Sequence, residues 1–228
     1  MDFSEISIAD WNDAMVRKYH KNGTRFEKGF FLKRKMEYGV FQKMLHYASI
    51  KKTDKVCDIG CGEGFLLKEI EGARYIVGVE ISITALKRAK EILNNRPEIE
   101  IIKADAQKIP IPDEIFDVVL CSEVLEHLPD PKIVLKEIHR IIKHKGRLVI
   151  SVPNEKRARR ILSIARLFKL SSMVEGVSTE GNVQNEWHLQ EASEKWLKEI
   201  CRDLFEIKKI EFYPKFLDLR IITLTEKK

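Results

Sequence analysis

A chain of 228 residues, 44% hydrophobic and 33% charged, can bury the core of one globular domain with an appendage. That composition excludes a disordered chain, and no apolar run is long enough to span a bilayer. With no charged-then-apolar leader at the N-terminus, a cytoplasmic location is expected. The net charge of +6 favours anionic partners only weakly, so where the basic residues cluster matters more than their sum.

Before the first strand, 1–50 carry Trp11, Tyr19, Phe26, Phe30, Phe31 and Phe41 among many lysines and arginines. Amphipathic patterns predict helices over 8–19 and 33–47, broken at Asn22-Gly23-Thr24. They make either a cap packed on the core or a lid over a cleft. From Lys55 the pattern alternates. An apolar strand over 55–59 runs into Gly60-Cys61-Gly62-Glu63-Gly64, whose glycines let backbone approach a ligand closely. A helix over 64–71, a strand over 75–80 and a helix over 83–94 capped by Ser82 follow. Strands are predicted over 100–104 and 115–121, and the run Val118-Val119-Leu120 suits a strand covered on both faces. Asp130 and Pro131 supply a cap and first turn for a helix to about 142, with Gly146 ending it and a strand over 147–152 beyond. Repetition of this kind implies a parallel sheet with right-handed crossovers. After Pro153 the rhythm changes. A basic amphipathic helix over 155–170 precedes a small, polar stretch over 171–187, read as a mobile loop. A helix over 193–204 leads to strands over 205–213 and 219–225, joined by a turn containing Pro214 and therefore antiparallel.

Ligands of open α/β sheets sit beyond the carboxyl ends of the strands. Here the first strand ends in the glycine turn, with Asp58 just before it. The second ends in Glu80, 20 residues after Gly60, where a carboxylate can accept from both ribose hydroxyls and would repel a 2′-phosphate. The third ends in Ala104-Asp105-Ala106, where Asp105 can accept from an adenine amino group. The fourth ends in Cys121-Ser122-Glu123 and runs into Val124-Leu125-Glu126-His127-Leu128. Phe65 stands where a dinucleotide fingerprint needs its third glycine, which argues against a nicotinamide oxidoreductase. Cys57, Cys61, Cys121 and Cys201 form no C-x-x-C pair, so reduced, buried thiols are expected rather than a zinc or redox motif.

Val56-Cys57-Asp58-Ile59-Gly60-Cys61-Gly62-Glu63-Gly64 resembles the first motif of class I S-adenosylmethionine-dependent methyltransferases. Phe116-Asp117-Val118-Val119-Leu120-Cys121-Ser122-Glu123-Val124-Leu125-Glu126-His127-Leu128 resembles their fourth-strand motif, in the form typical of the branch containing quinone-biosynthesis and other small-molecule enzymes. The resemblance is close over 55–153 and reaches the terminal hairpin in architecture only. It does not cover 1–50 or 154–190 in detail, the segments that usually choose the acceptor. It implies an α/β fold: a Rossmann-like seven-strand methyltransferase sheet, mostly parallel with a C-terminal antiparallel hairpin and helices on both faces. The domain plan is then a helical cap over 1–50 and a methyltransferase domain over 51–228 with a lid inserted at 154–190. The implied cofactor is S-adenosyl-L-methionine, leaving as S-adenosyl-L-homocysteine. In the implied seat, Gly60, Cys61 and Gly62 pass close to the methionine part, and Asp58 orients the turn and meets the amino group. Glu80 holds the ribose with Ile81 against adenine, Asp105 and Ala106 contact the adenine edge, and Cys121, Ser122 and Glu123 line the methionine side. Carboxylates suit a sulfonium ligand where a pyrophosphate would need donors.

Methyl transfer needs a general base only if the acceptor must lose a proton. His127, following the fourth strand, and His188, beside the polar stretch, are the candidates. No metal is expected, since no constellation of the catechol type is visible. The missing Asn/Asp-Pro-Pro-Tyr after the fourth strand argues against amino methylation of adenine or glutamine. Val152-Pro153-Asn154 stands where covalent pyrimidine methylation would need Pro-Cys. The expected acceptor is a small or lipid-like molecule, methylated at O, N or C. The basic stretch 156–169 keeps an RNA or protein acceptor open, and peripheral contact with anionic lipid. Phe168 is its one aromatic residue, which disfavours nucleic acid. A non-catalytic S-adenosylmethionine-binding protein is a further alternative. The sequence leaves the oligomeric state open.

Overall fold

The computed structural model describes residues 7–19, 31–167 and 188–228. Seven strands form one sheet: β1 (Lys55–Ile59), β2 (Tyr75–Glu80), β3 (Ile99–Lys103), β4 (Phe116–Ser122), β5 (Ile142–Pro153), β6 (Phe205–Tyr213) and β7 (Arg220–Lys227). Their order is β3-β2-β1-β4-β5-β7-β6. The first five are parallel, and β7 runs antiparallel to both β5 and β6. From β1 the chain winds outward to β3, then returns to β4 on the other side of β1. The carboxyl ends of β1 and β4 therefore flank the crevice where a ligand can enter.

The side-chain alternation of β4 explains why it reads as a continuous apolar run. Val118 and Leu120 face one core with α2 (Phe31–Ala48), whose Val40, Met44, Tyr47 and Ala48 pack there. Val119 and Cys121 face the other, against α5 (Pro131–Ile141) and α7 (Glu194–Cys201). A strand with both faces buried has no polar position to spare. The remaining helices are α1 (Ile8–Tyr19), α3 (Phe65–Lys68), α4 (Ile83–Ile92) and α6 (Glu155–Leu167), with a short 3₁₀ turn at Leu125–His127. Ser82 caps α4, accepting from the Ala85 N–H at 3.2 Å, and Asp130 caps α5 ahead of Pro131.

Two expected boundaries differ. α3 is a single turn rather than a helix over 64–71. Its last N–H groups, at Glu69 and Ile70, reach back only three residues, and Gly72 turns away at φ 69°. α5 ends at Ile141, as expected, but β5 starts at Ile142 rather than at 147, so Gly146 is not the helix stop. Ile142 is buried and extended, and it pairs with Phe116 across the sheet, so β5 begins at once. Lys145, at φ 59°, and Gly146 instead belong to the irregular stretch where the β4–β5 register shifts. The Asn22-Gly23-Thr24 break, Phe26, Phe30, Phe168 and the polar stretch 171–187 lie outside the described residues. Among the described residues, no helix is long and apolar enough to cross a membrane.

Candidate active site

Beyond the carboxyl ends of β1, β2, β3 and β4 lies a cavity of about 250 Å³. The glycine turn forms its floor. Gly60 and Cys61 both donate to the Val79 carbonyl, at 2.8 and 3.0 Å, which pins the turn to β2. Gly60, Gly62 and Gly64 all adopt positive φ. A Cβ on Gly60 would stand 2.4 Å from Val124, so this glycine is required by the loop after β4. A Cβ on Gly62 would meet no atom within 4 Å, because that direction opens into the cavity. A side chain at Gly62 would thus enter the cavity rather than meet protein.

Carboxylates crowd this floor. Glu80 accepts three backbone N–H groups, from Gly62 at 2.9 Å and from Ile81 and Ser82 at 2.8 Å. Burial still outweighs these donors and raises its pKa above the usual carboxylate range. Asp58 is 1% exposed, and its Oδ1 has no hydrogen-bond partner. Burial, with the Glu80 charge added, pushes its pKa well up. The expected division of labour is thereby revised: Glu80, not Asp58, bonds the glycine turn, and Asp58 is left aimed at the cavity with an unsatisfied oxygen. Asp105 ends β3 in an Asx turn, accepting from Gln107 at 2.8 Å, and lines the cavity with Ile81 and Ala106.

Ser122 and Glu123 form the β4 side. Glu123 sits at φ 54°, a left-handed conformation rarely adopted by a non-glycine residue. Its N–H reaches the Ser151 carbonyl at 2.9 Å, and its carboxylate pairs with Arg220 at 3.0 Å. Cys121 takes a different place from the one expected: its side chain is fully buried between the sheet and α5 rather than in the cavity wall. Burial raises the thiols of Cys57, Cys61 and Cys121 well above their usual value and that of Cys201 to about 12. All four are free and buried.

His127 and His188, 61 positions apart in sequence, meet with ring centroids 4.8 Å apart. Both line the cavity, as does Glu126. Sequence reasoning missed the groups that place them. Glu155, 4% exposed, binds His188 Nδ1 at 2.9 Å, and the Glu126 carbonyl accepts from Leu189 and Gln190 at 2.8 and 3.1 Å. Arg220, from the terminal hairpin, and Asp13, from α1, were missed too. Asp13 accepts from Ser82 Oγ at 2.6 Å and from the Thr84 N–H at 3.0 Å, which docks α1 on the start of α4. α1 and α2 then contribute Ile8, Asn12, Val16, Val40 and Phe41 to the cavity wall. No local pattern announces these contacts, since each joins distant segments.

A seven-strand sheet ending in β5-β7-β6, with acids at successive strand ends around a glycine turn, defines the Rossmann-like methyltransferase class. Residues 57–150 match the family model of a methyltransferase domain. Ubiquinone biosynthesis O-methyltransferase of Thiobacillus denitrificans is 35% identical over 114 residues, 48% of this chain and 49% of that protein. Demethylmenaquinone methyltransferase of Lysinibacillus sphaericus is 30% identical over 118 residues, 50% of each. The chain spans about half the length of these relatives. N-methyltransferase NodS of Bradyrhizobium japonicum, solved with S-adenosyl-L-homocysteine, shares the fold at a TM-score of 0.68 and 13% identity, over 95% of this chain and 98% of that one. Residues 57–150 thus match a methyltransferase domain within a class I S-adenosylmethionine-dependent methyltransferase fold, and S-adenosylmethionine is the cofactor of that class.

Proposed function

We propose that this protein transfers the methyl group of S-adenosylmethionine to a small or lipid-like acceptor. The observation that carries the reading is the orphaned, buried Asp58 oxygen beside the open Gly62 cradle. A ligand with an ammonium group and a sulfonium charge relieves that surplus of carboxylate, whereas a pyrophosphate would aggravate it. Glu80 then holds the ribose hydroxyls, Asp105 and Ala106 the adenine edge with Ile81 beside the ring, and Gly60, Cys61, Gly62, Ser122 and Glu123 the methionine part. Bound there, the cofactor supplies an electrophilic methyl that an acceptor lone pair takes as neutral S-adenosylhomocysteine leaves. The chain's task is alignment and exclusion of water. α1 and α2 serve as cover, and the pair His127 and His188 manages the acceptor's proton.

The names of the quinone-biosynthesis relatives support a ring-bearing precursor as the first acceptor to try. An RNA or protein acceptor gripped by α6 has less support. Arg159 is paired with Glu155 at 3.0 Å and Glu191 at 3.4 Å, and Arg157 lies 3.9 Å from Asp218. These charges are engaged within the chain rather than arrayed for phosphates. Calorimetric titration with S-adenosylmethionine, S-adenosylhomocysteine and NAD tests the seat: micromolar binding of the first two without NAD is expected. Failure of both adenosyl ligands would overturn the reading, and binding without turnover on any acceptor would leave a non-catalytic binding protein.

A further inference from the structure

The sequence raised no expectation of a metal, yet the fold assembles ligands for one. We propose that Glu126, His127 and His188 hold a divalent first-row transition ion at the acceptor end of the cavity, and that the acceptor binds it through a hydroxyl. One ligand atom from each of the three lies within 4.8 Å of the others. An ion with nitrogen and oxygen ligands at about 2.1 Å holds them roughly 3–4 Å apart, so this is a slightly open form of such a site.

Independent observations indicate that it is built for a ligand. His188 Nδ1 meets Glu155 at 2.9 Å, and the other Glu155 oxygen takes Arg159 at 3.0 Å. With its two oxygens accepting, Glu155 fixes the ring proton on Nδ1 and leaves Nε2 as the free lone pair. This carboxylate–histidine arrangement is how proteins orient and strengthen a metal-ligating imidazole. The Leu189 and Gln190 N–H groups tie the segment bearing His188 to the Glu126 carbonyl, and Gln190 Nε2 adds bonds to the carbonyls of Leu128 and Pro129 at 3.2 and 3.0 Å. Two segments far apart in sequence are therefore fastened together at the cluster itself, as ligands of one ion must be.

Two imidazoles and one carboxylate suit Mn²⁺, Fe²⁺, Co²⁺ or Zn²⁺ better than Mg²⁺ or Ca²⁺, which prefer oxygen throughout. Because all three residues line the cavity, the remaining coordination positions face it. A hydroxyl bound there loses its proton to water at a lower pH, and the freed oxygen lone pair is the nucleophile of the methyl transfer proposed above. The histidines thus promote proton loss through the ion instead of accepting the proton themselves. The hydroxyl acceptor rests on the methyltransferase reading; the ion does not.

The experiment is titration of the metal-stripped full chain with Mn²⁺, read by electron paramagnetic resonance, and with Co²⁺, read by visible absorption. S-adenosylhomocysteine calorimetry runs on the same samples. Wild type is expected to take one equivalent at micromolar levels. His127→Ala and His188→Ala are expected to abolish that site while still binding S-adenosylhomocysteine, and Glu155→Gln to weaken it about tenfold. His144→Ala, on an exposed side chain, should change nothing. Absence of a site in wild type, or its persistence in both histidine variants, would overturn the proposal while leaving the methyltransferase reading intact. Failure of the nucleoside alone would sink that reading and spare the ion. With Co²⁺ bound, catechol as a probe hydroxyl should shift the visible spectrum; an unchanged spectrum would overturn the hydroxyl acceptor.

Discussion

At the ends of β1, β2 and β3 the cavity wall carries the carboxylates Asp58, Glu80 and Asp105 from one continuous stretch, whereas the wall beyond β4 joins Glu123, Glu126 and His127 to His188 and Arg220. On the first wall, Glu80 and Asp105 are satisfied by backbone N–H groups a few positions away. On the second, Glu123 is held by Arg220 and His188 by Glu155, across the fold. The two constructions suit their tasks. A seat for one fixed ligand can be encoded in short strand-end turns, while a pocket that must fit a particular acceptor draws on elements outside the sheet's first half. Breaking the first wall is expected to remove the cofactor whatever the acceptor, and breaking the second at His127 or His188 to spare it.

Gly62→Arg carries the largest expected effect. The new side chain points where no protein atom stands within 4 Å, so it fills the cradle without disturbing the core. The backbone strain at φ 53° costs roughly 1 kcal/mol. S-adenosylhomocysteine binding should vanish in calorimetry while thermal unfolding stays cooperative. Unchanged affinity would show that the cofactor lies elsewhere. Glu80→Ala comes next. It is expected to weaken binding by about 1–3 kcal/mol and to lower stability by a similar amount, because three N–H groups lose their acceptor. A variant that loses affinity but keeps its denaturant midpoint would mean that those N–H groups are satisfied by water.

The contrast between the walls also explains what could be read in advance. The alternation of strand and helix from Lys55 to Pro153, the caps at Ser82 and Asp130, and the acids at three strand ends are local patterns, and the fold places them as such. Boundaries were missed where packing overrode the local signal. Gly146 looks like a helix stop, but Ile142 gains more as a buried strand residue paired to Phe116. The family resemblance implies a place for Cys121 in the cavity wall, whereas period-two alternation turns it to the core and Ser122 to the cavity. Glu155, Arg220 and Asp13 carry no sequence signal, since each acts through long-range partners that only the topology supplies.

Asp58→Asn separates binding from stability within the first wall. With the folded pKa of Asp58 raised by burial and by Glu80, its contribution to stability is complete below the unfolded value near 4 and is lost as pH rises through the folded value. The ligand-free protein should therefore lose thermal stability as pH rises above the unfolded value, and Asp58→Asn should flatten that decline. The same variant is expected to weaken S-adenosylhomocysteine by about 1–2 kcal/mol, having lost the charge that meets an amino group. A decline as steep as in wild type would assign the pH dependence to Glu80 instead.

Asp13 gives the smallest effect and the opposite sign, and it tests the cover rather than the seat. Burial works to raise its pKa, but hydrogen bonds from Ser82 and Thr84, with Arg17 beside them, win and bring it down to about 2. A depressed carboxylate contributes stability above its unfolded value near 4, and that contribution disappears as pH falls from about 4 towards 2. Asp13→Ala is expected to cost about 1 kcal/mol at neutral pH, the usual worth of a helix-capping acceptor. The loss should be confined to α1: its amides should exchange faster, while the β1 and β4 amides stay as protected as in wild type. Wild type and variant should converge near pH 2, where the wild-type carboxylate is half protonated or more. If exchange rises across the sheet as well, α1 is part of the cooperative core and not a separable cover over the cavity.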